Sequence, residues 1–108
     1  MSYYLLQAAY TPEAVAALLK NPRDRHKAVR KVVEKLGGNL EGFRFAFGDY
    51  DVVLICRLPD NVTAAALSMA VSAGGALKAG KTTPLITAKE GIVAMKKAAK
   101  SGYKPPSK

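Results

Sequence analysis

Two extended runs meet at Gly48-Asp49-Tyr50-Asp51, and this junction restricts the possible folds more than any other segment. Before it, Asn39 to Phe47 alternates, with Phe43, Phe45 and Phe47 on one side and Arg44 and Ala46 on the other. After it, Tyr50 to Leu58 forms a second run, ended by Pro59. Successive side chains of a strand point to opposite faces, so each run reads as a strand with one apolar face. With Gly48 and Asp49 as the central turn residues, Phe47 pairs with Tyr50, Phe45 with Val52 and Phe43 with Leu54. All six lie on one side, apolar enough to form a floor beneath helices.

The flanking segments supply those helices. Ser2 to Tyr10, "SYYLLQAAY", reads as a buried first strand, and Thr11 then caps a helix that Pro12 opens. Val15, Leu18 and Leu19 lie on one face of that helix. Asn21-Pro22 repeats the cap-and-proline device and predicts a break or kink. Beyond it, Ala28, Val29, Val32, Val33 and Leu36 form a stripe at helical spacing, ended by Gly37-Gly38. Asp60 or Asn61 caps a third helix, "VTAAALSMAVSAGG", which Gly74-Gly75 terminates. "ALKAGKTTPLIT" is a weaker fourth strand whose Gly80 and Pro84 suit a sheet edge. Thr87 caps a last amphipathic helix with Ile92, Val93, Met95 and Ala99 near its inner face. The predicted fold is α+β: a ferredoxin-like βαββαβ arrangement with an extra C-terminal helix, its four-stranded antiparallel sheet carrying helices on one face. Residues 1–100 form the domain, and residues 101–108, "SGYKPPSK", form a flexible basic tail.

The other sheet face needs an occupant. It presents Arg44, Ala46, Asp51, Val53, Ile55 and Arg57, and a solvated face would not normally carry Val53 and Ile55 together. A homo-oligomer, dimer or higher, packed through this face is expected. In this register Arg44 stands opposite Val53 and diagonal to Asp51, within reach of a cross-strand ion pair. Arg44, Asp51 and Arg57 are then either interface-rim charges or a cleft in which the arginines hold a small anionic ligand and Asp51 serves as acid or base.

These residues and their surroundings resemble the GYD domain family, named for a Gly-Tyr-Asp motif at this hairpin. Gly48, Tyr50 and Asp51 match, with Asp49 in the variable place between them. The likeness extends to "YTPEA", "KLGGNLEGFRFAFG", "LPD", the Gly-Gly after the third helix and "TTPLIT", covering the chain to about Ala99. It implies a ferredoxin-like fold of the dimeric α/β-barrel kind and a family of uncharacterised biochemical function. It supplies no catalytic residues to transfer, and the lysine-rich tail is an addition to the family pattern.

Composition narrows the partners. The 108 residues, 49% hydrophobic and 23% charged, suffice for one core. No apolar stretch reaches membrane-spanning length and the N-terminus lacks the marks of a secretory signal, so a cytoplasmic protein without a membrane partner is expected. A single cysteine, Cys56, leaves no internal disulfide and no Cys-rich metal site. The net charge of +9 is concentrated in Arg23 to Lys35 and in the last thirteen residues, Lys96 to Lys108. Neither cluster interleaves aromatics with basic residues, apart from Tyr103, so nucleic-acid binding is not the favoured reading.

Single residues add little chemistry. His26 is the only histidine, at the margin of its helix's apolar stripe, and no partner at metal-ligand spacing accompanies it. Arg25 points toward the core side of the same helix, where it can extend to water, pair with a carboxylate such as Glu13, or hold an anion. Cys56 falls among apolar neighbours, where a thiol stays protonated and inert. Tyr50 either closes the hairpin against a helix or donates a hydrogen bond to a ligand. "GGALKAGK" lacks phosphate-loop spacing.

Three readings follow. The favoured one is an oligomeric domain that binds a small ligand or a partner, with no cofactor, no metal and no assigned catalytic residue. A cofactor-free isomerase or monooxygenase would require Asp51, Tyr50 and His26 or an arginine to converge in one pocket. Binding of nucleic acid or an anionic surface through the tail would be steeply salt-dependent.

Overall fold

The computed structural model describes residues 1–107 and has an α+β fold, one four-stranded antiparallel sheet with four helices. The elements run β1 (Ser2–Tyr10), α1 (Pro12–Lys20), α2 (Arg25–Lys35), β2 (Asn39–Phe45), β3 (Val52–Leu58), α3 (Asn61–Ala73), β4 (Leu77–Leu85) and α4 (Ala88–Ala99). The sheet order is β2-β3-β1-β4, so the first strand is central and the glycine- and proline-containing β4 is an edge, as expected of a split βαβ fold.

Helix starts follow the side-chain oxygens. Thr11 accepts from the Ala14 amide, Asp60 from the Thr63 amide and Thr87 from the Glu90 amide, with Glu90 returning the contact to the Thr87 N–H. One start departs from expectation. Asn21 ends α1, and the cap of α2 is Asp24, whose carboxylate accepts from the Lys27 amide. The break at Asn21-Pro22 is present, but a carboxylate three residues later takes the capping role. After α2, Gly37 adopts φ +86°, the left-handed conformation that glycine tolerates. Gly38 lies so close to β3 that a Cβ would come within 2.5 Å of the Arg57 carbonyl oxygen and of Leu58 Cδ2.

The core lies between the sheet and helices α2 and α3. Tyr4 and Leu6 of β1, Phe43 of β2 and Val52, Leu54, Cys56 and Leu58 of β3 meet Val33 of α2 and Ala64 and Leu67 of α3. The Tyr4 hydroxyl donates to Asn61 Oδ1 at 2.6 Å, so the most buried aromatic satisfies its polar end at the first turn of α3.

The hairpin keeps the predicted pairs Phe45↔Val52, Arg44↔Val53 and Phe43↔Leu54. It does not keep Phe47 with Tyr50. The strands part after Phe45, residues 46–51 form the connection, and Phe47 is fully exposed. A register shift between Leu40 and Gly42 inserts Glu41 as a bulge. The extra residue lets both Leu40 and Phe43 pack on the helix side, which strict alternation would forbid.

The C-terminal helix departs from the expected packing. No residue of α4 is buried, and Ile92, Val93 and Met95 are all more than half exposed. Only two residues separate the end of β4 from the first turn of α4. The radius of gyration, 17.4 Å, exceeds the roughly 13 Å of a compact chain this long, and the molecule extends 57 Å along its main axis. Ser101 to Ser107 are exposed and without regular secondary structure; Lys108, the last residue of the expected tail, lies outside the described residues.

Candidate functional site

At the hairpin, Asp51 has a structural role. β1 carries a register irregularity between Ala9 and Tyr10, where its ladder with β4 is interrupted. The Tyr10 amide there donates to Asp51 Oδ2 at 2.8 Å, while the Asp51 amide donates to the Ala8 carbonyl at 2.8 Å and its carbonyl accepts from Ala46 at 2.7 Å. Asp51 therefore ties the hairpin to the irregular end of β1 and satisfies an amide that the ladder leaves free. Tyr50, half-buried beside it, lines a shallow hollow with Gln7, Ala46, Phe47, Gly48, Asp49 and Val53. Neither His26 nor an arginine lines this hollow.

The expected trio does not form a cluster. Arg44 is exposed and its guanidinium donates to the carbonyl of Phe43 at 2.8 Å, while the Asp51 carboxylate is taken by Tyr10. The cross-strand ion pair between Arg44 and Asp51 is absent among the described residues. Arg57 lies at the far end of the open face, its guanidinium carbon 5.6 Å from the centre of the Tyr3 ring. Its Nε is buried with no hydrogen-bond partner among the described residues. Around these charges the register places Tyr3, Leu5 and Gln7 of β1 beside Arg57, Ile55 and Val53 of β3, and beside Leu85, Thr83 and Lys81 of β4. The centre of the open face is therefore aliphatic and aromatic, with no helix over it.

A larger, partly enclosed space lies on the helix side. Between β1, α2 and α3 lies a cavity of about 320 Å³ whose walls include Ala8, Val29, Val52, Ala70, Val71 and Leu77. A second, about 200 Å³, lies against α1 and is lined by Ala14, Ala17, Leu18 and Arg23. Tyr10, Arg25 and Ala76 line both. Small residues explain the void, since Ala8, Ala70, Ala76 and Gly74 stand where larger side chains would close it. Arg25, half-buried in the first turn of α2, has its side chain between the two spaces, as its helical spacing predicted. Glu13, its expected partner, forms no ion pair with it among the described residues.

His26 and Cys56 pack within the fold. His26 stacks on Phe43, with ring centres 5.1 Å apart and planes 12° from parallel, and its Nε2 lies 2.9 Å from an Arg30 guanidinium nitrogen. Cys56 is fully buried, and burial pushes its thiol up to about 11. At neutral pH it is a protonated, apolar-packed group. Sequence reasoning found Arg25 but missed the cavity beside it; the available signal was a set of small residues, Ala8 on β1, Ala70 on α3 and Gly74 just after it.

No helix among the described residues is long and apolar enough to cross a membrane. Comparison with curated proteins finds no match. The family model described as the GYD domain matches residues 4–95 of the 108, spanning every element from β1 into α4, and the chain belongs to the GYD domain family.

Proposed function

We propose that this chain is a self-associating binding domain without catalysis of its own, and that copies join through the open sheet face. The observation that carries the reading is the composition of that face: Leu5, Val53 and Ile55 in the centre, with Tyr3 and Arg57 at one end, all outside the core. Single exposed apolar residues are ordinary, but a contiguous patch on a sheet marks an interaction surface. The apolar stripe of α4, which the chain's own core does not cover, is further surface that an assembly would bury.

The charged groups favour binding over catalysis. Asp51 is engaged with a backbone amide and Arg44 with a backbone carbonyl, so a general acid or base and an anion holder are not presented together at a shared centre. The test is molar mass by light scattering across the micromolar range. A mass at least twice that of one chain, reduced to one chain by Ile55→Asp, is the expected result. A single-chain mass at every concentration overturns the reading.

A further inference from the structure

We infer that the helix-side cleft binds a small amphiphilic carboxylate, with its apolar body in the larger cavity and its carboxylate on Arg25. The site is across the sheet from the proposed self-association surface and does not depend on it.

Three features support this assignment. First, the larger cavity has the size of a small-ligand site, at the low end of the roughly 300–1,000 Å³ usual for such pockets, and it is walled mainly by aliphatic side chains. That size suits a medium-chain or aryl acid better than a nucleotide. Second, the one charged side chain lining this cavity among the described residues is Arg25, and Arg23 adds a second positive charge in the adjoining space. A guanidinium is planar and presents paired N–H groups that match a carboxylate, so it fixes the polar end of a ligand as well as attracting it. Third, the cationic side chain is not spent within the fold. Arg23 donates only a long contact to the Asn21 carbonyl at 3.3 Å, and Arg25 forms no ion pair among the described residues. A half-buried arginine beside an apolar void is therefore available to an anion from solution.

The Tyr10 side of the cleft is tied to the hairpin. Tyr10 lines both spaces, and its backbone is tied by Asp51 of the hairpin. The Gly-x-Tyr-Asp segment thus contributes to the cleft from a distance, by fixing the strand end that forms its floor, and Asp51 is a positioning residue here. Binding at Arg25 would be read from that side as well.

The experiment titrates octanoate, 1-octanol and inorganic phosphate separately into the full chain and follows backbone amide resonances. Octanoate is expected to give saturable shifts at Tyr10, Arg25, Val29 and Val71. Octanol, which lacks the charge, and phosphate, which lacks the apolar body, should bind at least about tenfold more weakly. Arg25→Gln should weaken octanoate roughly 10- to 100-fold, as expected for loss of a charge-assisted contact. Val71→Phe, which fills the cavity from α3, should abolish the shifts while the remaining spectrum stays dispersed. Equal binding of octanol and octanoate, shifts confined to other surfaces, or unchanged affinity in both variants would overturn the inference. Because molar mass is measured separately, failure of the cleft and failure of self-association are told apart.

Discussion

The two faces of the central strands are built from adjacent residues and have different fates. On β3, Val52, Leu54, Cys56 and Leu58 point toward the helices and are buried, whereas Val53, Ile55 and Arg57 point away and remain at least partly exposed. Both sets are rich in aliphatic side chains. Hydrophobicity alone therefore does not decide which face becomes the core of a single chain; the capped and glycine-terminated helices α2 and α3 do, by covering one side only. The uncovered side retains the features of an interior without its packing, which is why it reads as an assembly surface.

The largest expected effect tests the covered face. Leu58 is fully buried against α2 and α3, and truncation to alanine should cost about 2–5 kcal/mol of unfolding free energy, through lost burial and the cavity left behind. Ile55→Ala on the opposite face should cost less than about 1 kcal/mol in the isolated chain, measured by denaturant unfolding at concentrations low enough to suppress association. Equal costs for the two would erase the distinction between the faces.

Asp51 lies where the two faces are joined to the hairpin, and its loss should rank next. Asp51→Ala leaves the Tyr10 amide without its acceptor, at a cost of about 1–3 kcal/mol, and loosens the wall of the cleft. Asp51→Asn keeps an oxygen in place and should recover much of the loss. A destabilisation equally large in both variants would assign the effect to charge instead of to the hydrogen bond.

A smaller, pH-dependent effect belongs to Asp60, which starts the helix that closes the core. Thr63 donates to its carboxylate from both hydroxyl and amide, at 2.7 and 2.8 Å, and these bonds hold the carboxyl below the usual carboxylate range. Since the folded value is the lower one, the cap stabilises above the ordinary carboxylate range, and its contribution fades as pH falls through the folded value. Asp60→Ala should lower the unfolding midpoint by a few degrees at neutral pH, and the gap from the parent should close on acidification below about pH 4. A gap independent of pH would mean that the carboxylate is not what caps α3.

The core was more legible in the sequence than the site, and particular residues show why. Thr11 and Thr87 were readable as caps, and Asp60 as one of two candidates with Asn61, because cap action is local, within three residues. The pairing of Phe43 with Leu54 followed from alternation and a short turn. Glu41's bulge was not read, although Gly42 inside a strand was its available signal, and Asp24 was missed because Asn21-Pro22 offered a competing start. Asp51's bond to Tyr10 joins residues 41 apart and depends on an irregularity in β1, which no local pattern encodes. The cleft is legible only once β1 and α3 are placed together, since Ala8 and Ala70 are unremarkable in isolation.

The smallest expected effect comes from the largest change. The pattern of α4 promised an amphipathic helix packed on the core, and Thr87 with Glu90 does form a reciprocal cap, with Glu90 held below its usual range by the Thr87 amide and hydroxyl. Yet a well-capped helix that buries nothing contributes little to the chain's own stability, because most helical stabilisation in proteins comes from packing an apolar face. Removing residues 88–108 should therefore change the unfolding free energy of the dilute single chain by no more than about 0.5 kcal/mol, less than Leu58→Ala alone. The same truncation should weaken self-association if the Ile92, Val93 and Met95 stripe is covered by another copy, a change that light scattering would register with the core intact. A large loss of stability in the dilute truncated chain would instead show that α4 folds back on its own domain, and the uncovered stripe would no longer support assembly.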